Sequence, residues 1–172
     1  MIMGFFHFRS FVGIWALSIS LLISNIGKAH ADVRGRVVAV TDGDTIKVLD
    51  ANNIVHKIRL SGIDAPERKQ PFGKVSQNNL ASLVANRQVH VDSDRQDRYG
   101  RALGKVWVDD IDVNLAQVRL GYAWWYKYYA TQQSVEDRKD YEQAEIKARE
   151  ERIGLWGGSR PIKPADWRRG VR

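Results

Sequence analysis

Carboxylates and arginines in three short clusters are the residues of this sequence that could do hydrolytic chemistry. The clusters are residues 41–45 (TDGDT), 59–67 (RLSGIDAPE) and 97–101 (DRYGR). Cleavage of a phosphodiester needs a positioned water, a base that takes its proton, and positive charge around phosphorus. A divalent cation held by carboxylates, one further glutamate and two arginines would supply all three. Arginine suits this role because its planar guanidinium binds two phosphate oxygens and stays protonated.

Each cluster taken by itself also has an ordinary structural explanation. Asp42-Gly43 is a strong signal for a tight turn. Asp64 and Glu67 could be loop acids beside a helix N-terminus, and residues 97–101 could form a charged hairpin turn. The occurrence of all three clusters in one chain favours the chemical interpretation.

Pro66 gives the second cluster a specific geometry. A residue before proline is restricted to extended backbone, so Ala65 could present its carbonyl oxygen to a cation. Carboxylates and carbonyls are the ligands that hard cations prefer. This loop therefore predicts oxygen ligands in a fixed arrangement.

Other hydrolytic chemistries lack their residues. The chain has no cysteine, which excludes disulfides, thiolate catalysis and cysteine-ligated zinc. Beyond residue 31 there are only two histidines, His56 and His90, in separate predicted strands. Histidine-based nuclease chemistry needs more histidines or a defined cluster.

The hydrophobic pattern predicts the elements that must position these clusters. Alternating apolar residues predict three strands in a meander, followed by a helix, two further strands and two helices. The strands are predicted at 35–40, 45–49, 54–61, 89–92 and 101–108, and the helices at 72–86, 112–121 and 134–152. On the second helix we expect Val113, Ala116 and Leu120 to share one face. This order predicts an α+β protein with a mainly β core, a five-stranded OB-type barrel with about three helices.

The motifs together resemble the staphylococcal (micrococcal) nuclease family over about residues 34–156. The matching motifs are DGDT at 42–45, RL to DAPE at 59–67, YGR at 99–101, VN to VRLG at 113–121 and GLW at 154–156. All of them occur in the order and spacing of the family.

The resemblance implies a role for each residue of the clusters. Asp44 and Asp64 would bind calcium through their carboxylates and Ala65 through its backbone carbonyl. The family prototype has threonine in place of Ala65, but a main-chain ligand tolerates alanine. The remaining roles are Glu67 as general base, Arg59 and Arg101 on the scissile phosphate, and Asp42 near the metal in a secondary role. Family products end in 3′-phosphates.

The resemblance also implies substrate contacts at Arg98, Tyr99 and Tyr129, whereas Lys127 stands where the prototype has a tyrosine. Aromatic side chains beside cations can stack bases without reading sequence. For Trp124 and Trp125 two interpretations stay open, stacking on bases or covering the core. Trp156 is interpreted as a core anchor.

The two ends of the chain differ from its middle. Residues 1–31 combine a basic start, an apolar run and a small-x-small end, which predicts a signal peptide cleaved after Ala31. The alternative is a membrane anchor formed by residues 11–27. Residues 32–156 would be the nuclease domain, and residues 157–172 a basic C-terminal tail that we expect to be loosely ordered. Nucleic-acid contact by residues 167–169 is the alternative for that tail.

Net charge points to the partners. The chain carries +7 at neutral pH, and removing residues 1–31 takes away only two basic residues, which leaves +5. Such an excess favours polyanions, and anionic lipid surfaces would be attracted in the same way.

We therefore expect an exported, monomeric, calcium-dependent nuclease acting on DNA and RNA, secreted or periplasmic, without stable membrane association after cleavage. The main alternative is a non-catalytic OB-fold module that binds nucleic acid. That alternative predicts loss of some carboxylates or arginines of the clusters, and all of them are present. A third possibility is a membrane-tethered adaptor that uses the basic tail.

Overall fold

The structure is a computed structural model that describes residues 31–158 and 160–172. The predicted signal peptide and the alternative anchor at 11–27 lie outside the described residues, apart from Ala31, which begins the first strand. No helix in the described part of the chain is long and apolar enough to cross a bilayer.

Short strands and helices alternate along the chain. The strands are β1 (Ala31–Asp42), β2 (Thr45–Asp50), β3 (Val55–Leu60), β4 (Ile63–Asp64), β5 (Gln88–Gln96), β6 (Ala102–Val108), β7 (Ile111–Asp112) and β8 (Trp124–Trp125). The α-helices are α1 (Gly73–Val84), α2 (Val113–Arg119), α3 (Val135–Glu150) and α4 (Pro164–Arg168). Two 3₁₀ helices, Lys127–Gln132 and Gly154–Gly157, lie on either side of α3.

Five strands of the described chain close into a barrel. They follow the order β3-β2-β1-β5-β6, and β6 pairs in parallel with β3 to complete the ring. The other pairings in the ring are antiparallel, with register shifts near Ala39 and Asp42 in β1 and near Arg95 in β5. Such bulges increase strand twist, which helps a short sheet to curve into a barrel. The predicted α+β, OB-type barrel is confirmed.

Alternation of apolar and polar residues fills the barrel interior from every strand. β6 shows this most clearly, because its residues alternate between buried and half-buried along its whole length. Helices α1, α2 and α3 add their apolar faces to the same core. The largest fully buried apolar side chains are Tyr141, Ile46, Ile58, Leu60, Ile63, Leu80, Val37, Val48, Val84, Val91 and Val106.

Tryptophan side chains form a second, smaller cluster under α3. Trp124 packs edge-on against Trp156, with ring centroids 5.4 Å apart. Ala148 and Leu155 complete this cluster, and Phe72 packs against it. Trp156 is thus a core residue, as predicted, and burial of Trp124 and Trp125 decides the open alternative in favour of the core.

Two expectations about local structure were wrong. Val113 and Leu120 were expected on one face of the second helix, but Val113 is buried, Leu120 is 40% exposed and α2 ends at Arg119. The tail expected to be loose forms α4, whose first residue, Pro164, is buried. In both cases long-range contacts outweigh the local pattern. Asp112 caps the start of α2 by accepting the Leu115 N–H, and Gly121 follows the end of the helix with a positive φ.

Candidate functional site

A cavity of about 1030 Å³ opens at the barrel edge where β3 ends and the β5–β6 hairpin turns back. Its walls come from the β1–β2 turn, the loop after β4, the β5–β6 hairpin, the 3₁₀ helix Lys127–Gln132 and α4. All the site residues proposed from the sequence line it: Asp44, Arg59, Asp64, Ala65, Glu67, Arg98, Tyr99, Arg101 and Tyr129. Three segments distant in sequence therefore meet in one place.

The β1–β2 turn is held tightly against two helices. A Cβ atom on Gly43 would lie 1.9 Å from the Ser76 hydroxyl oxygen of α1, so only glycine fits there. The buried Gln117 side chain of α2 donates a hydrogen bond to the Gly43 carbonyl at 2.7 Å. The Asp44 N–H donates to Asp42 Oδ1 at 3.1 Å. These contacts fix the direction in which Asp42 and Asp44 enter the cavity.

The buried carboxylates of Asp44 and Asp64 share one guanidinium nitrogen. Arg59 Nη2 lies 3.0 Å from Asp44 Oδ2 and 3.2 Å from Asp64 Oδ1. Asp44 Oδ2 also accepts the Ala65 N–H at 2.8 Å. Arg59 is itself anchored, because its Nη1 donates to the carbonyls of Leu60 and Ile63 at 2.6 and 3.0 Å. The two carboxylates among the predicted calcium ligands are thus brought together around Arg59.

Burial is the main influence on the pKa values of the carboxyls in the cavity. Burial, reinforced by repulsion from Asp44, raises the pKa of Asp42 to about 7. Burial also raises the pKa of Asp64, although Arg168 and Arg59 act in the opposite direction. A cation among these groups would relieve part of this cost.

No three side chains of His, Cys, Asp or Glu within residues 31–158 and 160–172 form a group that could hold a metal ion by themselves. The set predicted from the sequence is of a different kind, two carboxylates and one main-chain carbonyl. Oxygen donors of this type fit a hard cation such as calcium, whose coordination is completed by water.

Glu67 lies on the loop between β4 and α1 and contacts Arg168, which the sequence indicated only as an alternative nucleic-acid contact of the tail. Arg168 of α4 donates from Nη1 to Glu67 Oε1 at 2.7 Å and from Nη2 to Asp64 Oδ2 at 3.1 Å. Burial alone would lower the pKa of Arg168, but its hydrogen bonds to Asp64 and Glu67 outweigh this and raise it. Arg168 therefore stays protonated beside both acids.

The sequence does contain a signal for the helix that carries Arg168. Pro164 at the helix start, Asp166 in the first turn, Arg168 in the last turn and Gly170 beyond it are the usual marks of a short helix. Nothing in this local pattern indicates that the helix lies against the cavity. Local pattern likewise does not indicate that Gln117 donates a hydrogen bond to the Gly43 carbonyl, because the two residues are 74 positions apart.

The β5–β6 hairpin presents Arg101 through a single capping carboxylate. Asp97 Oδ1 accepts the N–H groups of Tyr99 and Arg101 at 2.9 and 3.0 Å, and Asp97 Oδ2 accepts Arg101 Nε at 2.7 Å. The Tyr99 ring is 69% exposed and lies under the guanidinium groups of Arg98 and Arg101, at 5.2 and 5.7 Å. The hairpin tip thus combines two cations and an exposed ring.

Tyrosines form another part of the cavity rim. Tyr126 and Tyr129 both line it, and their rings meet edge-on with centroids 5.1 Å apart. Tyr128 continues this group outward and is 79% exposed. Lys127 points elsewhere, with Nζ 4.9 Å from the Trp125 ring centroid. Tyr129 is therefore placed to contact a bound molecule, whereas Lys127 does not replace the prototype tyrosine in lining the cavity.

Comparison with known proteins finds one matching family model and several proteins similar over most of their length. A family model described as staphylococcal nuclease homologue matches residues 57–158. An uncharacterized endonuclease of Escherichia coli O157:H7 is 44% identical over 139 residues, covering 80% of this chain and 86% of the relative. A micrococcal nuclease of Shigella flexneri is 40% identical over 150 residues, covering 82% and 83%. Protein ParB of Escherichia coli is 38% identical over 170 residues, covering 94% and 93%.

Proposed function

The chain belongs to the staphylococcal nuclease family, and from that premise we propose that it is an exported nuclease that hydrolyses DNA and RNA with calcium as its cofactor. The observation that carries the proposal is the meeting of Asp44, Asp64, Glu67, Arg59 and Arg101 around one cavity. A base, oxygen ligands for a cation and two guanidinium groups are what phosphodiester hydrolysis requires.

The metal ligands in this proposal are Asp44, Asp64 and the Ala65 carbonyl. Burial of both aspartates and their approach to the same Arg59 nitrogen support this assignment. Calcium bound there would supply positive charge to a non-bridging phosphate oxygen. Weak oxygen-ligand sites fill at extracellular calcium levels, which suits an exported protein.

Glu67 is the proposed general base. It takes a proton from the attacking water, whose oxygen forms a bond to phosphorus while the bond from phosphorus to the 5′-oxygen breaks. The leaving oxygen takes up a proton, and the product carries a 3′-phosphate. Arg59 and Arg101 bind the phosphate and neutralise the charge that develops on its oxygens.

Tolerance of both sugars follows from the proposed substrate contacts. Arg98 would bind a neighbouring phosphate, and the exposed rings of Tyr99 and Tyr129 would stack on bases. Every base has a π-face and every nucleotide a phosphate, so these contacts neither read sequence nor exclude the 2′-hydroxyl. We therefore propose activity on both DNA and RNA by a monomer.

Export is part of the proposal and has its own test. The predicted leader carries two of the chain's 27 basic residues and none of its 20 acidic residues. N-terminal sequencing of the protein recovered outside the cytoplasm should give a start at Asp32. A mature protein that keeps residues 11–27 would establish the membrane-anchored alternative instead.

The catalytic proposal is tested by removing the base while keeping its shape. Wild type, Glu67→Gln and a matched surface control, Glu150→Gln, are incubated with plasmid DNA and with RNA in calcium, in magnesium and in chelator. We expect cleavage in calcium by wild type and control, little in chelator, and a loss of ~10²–10⁴-fold in kcat for Glu67→Gln, the usual worth of general-base catalysis.

A different result would establish the rival function. If the wild type binds nucleic acid in every metal condition and cuts none, the protein is a binding module on a nuclease fold. If Glu67→Gln cleaves as fast as the control, Glu67 is not the base.

A further inference from the structure

The C-terminal helix α4 contributes a guanidinium group to the cavity. Arg168 Nη1 lies 2.7 Å from Glu67 Oε1 and 3.3 Å from Asp64 Oδ1, and its Nη2 lies 3.1 Å from Asp64 Oδ2. One planar fork therefore bridges the proposed base and a proposed metal ligand across 101 and 104 residues of sequence. Bidentate pairing of this kind restrains orientation as well as distance.

The backbone around Arg168 is attached to the same loop that carries Glu67. Gln70 is buried, its Oε1 accepts the Glu67 N–H at 3.1 Å, and its Nε2 donates to the Ile162 carbonyl at 2.6 Å. The Gln70 N–H also donates to the Glu67 carbonyl at 2.8 Å. The buried side-chain amide of Gln70 thus connects the main chain of the tail to that of the loop carrying Glu67, and Arg168 connects the two through side chains.

Glu67 needs such support, because its side chain is 39% exposed and lies on a loop. An unsupported exposed glutamate samples several rotamers, and a base displaced by about 1 Å can lose on the order of 10²-fold in rate. Residues that hydrogen-bond a functional side chain from behind reduce this loss.

We propose that Arg168 is a positioning residue of this site, which holds the Glu67 carboxylate beside Asp64 so that the base stays at the attacking water. Arg168 does not contact the reacting atoms in this scheme. The inference rests on the proposed function, since it assumes that Glu67 is the base and Asp64 a calcium ligand.

The positive charge of Arg168 predicts an effect on calcium binding that a purely structural residue would not have. This charge lies 3.1 Å from an oxygen of Asp64, so its repulsion lowers the affinity of that carboxylate for a calcium ion. Removing the charge should strengthen calcium binding, even though the base becomes less well ordered. A variant that merely loosens the fold would weaken calcium binding instead.

The test compares Arg168→Ala, Arg168→Lys and a matched control, Arg169→Ala, in the full mature chain. Arg169 is the adjacent arginine of the same segment and pairs with Asp166, away from the cavity. For each protein, kcat and KM are measured on a single-stranded oligonucleotide, the calcium dissociation constant by calorimetry, and folding by thermal denaturation.

For Arg168→Ala we expect kcat to fall ~10–100-fold, the usual effect of removing a supporting residue, with KM changed less than about threefold. Its calcium affinity should rise by roughly tenfold, because a unit charge beside the site has been removed. Arg168→Lys should recover part of kcat, since an ammonium group keeps the charge but cannot bridge both acids as a planar fork does. Arg169→Ala should match the wild type in kcat, in calcium affinity and in thermal stability.

Unchanged or higher kcat in Arg168→Ala would overturn the inference and make the tail a cover over the site. Parallel losses of kcat, calcium affinity and thermal stability would overturn it as well, because they would indicate a structural role alone. Failure of the proposed function is recognised separately, by a wild type that binds calcium and cleaves nothing.

Discussion

At the scale of single residues, the carboxylate of Asp97 fixes the orientation of Arg101 and organises the tip of the β5–β6 hairpin. It accepts two backbone N–H groups and the Nε of Arg101, all within 3.0 Å. Partial burial alone would raise the pKa of Asp97, but the N–H groups of Arg101 and Tyr99 outweigh it, so the pKa is lowered. The charged form of Asp97 is thus the one that the fold stabilises.

A pH-dependent stability follows from this lowered pKa. A carboxyl whose pKa is lower in the folded state stabilises the protein above its ordinary value of 3.8, and this contribution is lost as the pH falls through the folded-state value. We expect Asp97→Asn to lower the free energy of unfolding by about 1 kcal/mol at pH 7, a figure reduced for solvent screening, and by less at pH 3. Urea denaturation at both pH values measures this difference.

The exposed Asp110 provides the control, because Asp110→Asn changes the same charge outside the hairpin. An equal deficit of Asp97→Asn at pH 7 and pH 3 would mean that the amide is disfavoured for steric reasons, and the electrostatic explanation would then be wrong.

At the scale of elements, helices α2 and α3 end against each other through two glycines. Gly121 and Gly154 both have positive φ values, 69° and 57°. The Leu155 N–H donates to the Gly121 carbonyl at 2.8 Å, and a Cβ atom on Gly121 would lie 2.4 Å from the Ile153 carbonyl oxygen. The helix ends therefore meet backbone to backbone, which sets where α2 places Gln117 under the β1–β2 turn.

A side chain at Gly121 has two destabilising effects, the strain of a left-handed backbone and a clash with the Ile153 carbonyl, and a matched substitution separates them. Gly100 has a similar φ of 73°, but a Cβ atom there would meet no atom of the described chain within 4 Å, so Gly100→Ala is the matched control. We expect Gly100→Ala to cost ~1 kcal/mol of unfolding free energy for the left-handed backbone alone. Gly121→Ala should cost about 3 kcal/mol or more, because the clash with Ile153 adds to that strain.

Equilibrium unfolding of both variants measures the comparison. Similar values for Gly121→Ala and Gly100→Ala would show that the helix ends separate easily, in which case their contact does not position α2.

At the scale of the whole molecule, the positive charge carried beyond residue 31 favours a polyanionic substrate. The charge of +5 beyond residue 31 coexists with an acidic centre at Asp42, Asp44, Asp64 and Glu67. Arginines therefore have to bring a polyanion to a site whose centre would otherwise repel it.

Salt dependence of binding tests this distribution of charge. With Glu67→Gln to prevent cleavage, the logarithm of the association constant for single-stranded DNA should fall linearly with the logarithm of salt concentration, with a slope of about −0.7 per phosphate contact. Arg98→Ala should make the slope shallower by about one contact. Lys147→Ala, on the far part of α3, should leave it unchanged.

Titrations monitored by fluorescence anisotropy between about 50 and 200 mM salt provide the slopes. Equal slopes for the Arg98 and Lys147 variants would indicate that binding depends on total charge and not on the hairpin tip.

Local patterns in the sequence predicted much of the fold and of the site. Alternating apolar residues indicated the barrel strands, the predicted bounds of the second helix lie close to those of α2, and the three clusters contained the candidate catalytic and metal-ligating residues that line the cavity. These features depend on interactions between residues close in sequence, or on side-chain chemistry that is independent of the fold.

The remaining features of the fold and of the site were decided only by the tertiary structure. The parallel pairing of β3 with β6, the burial of Trp124 and Trp125, the exposure of Leu120 and the arrival of Arg168 at Glu67 all depend on contacts between distant segments. Such contacts form because the barrel, once closed, leaves particular apolar and polar surfaces to be covered, and a local pattern does not encode which distant residue covers them. The sequence by itself thus determined which residue types could do chemistry, and the closed barrel determined which of those residues lie together around one cavity.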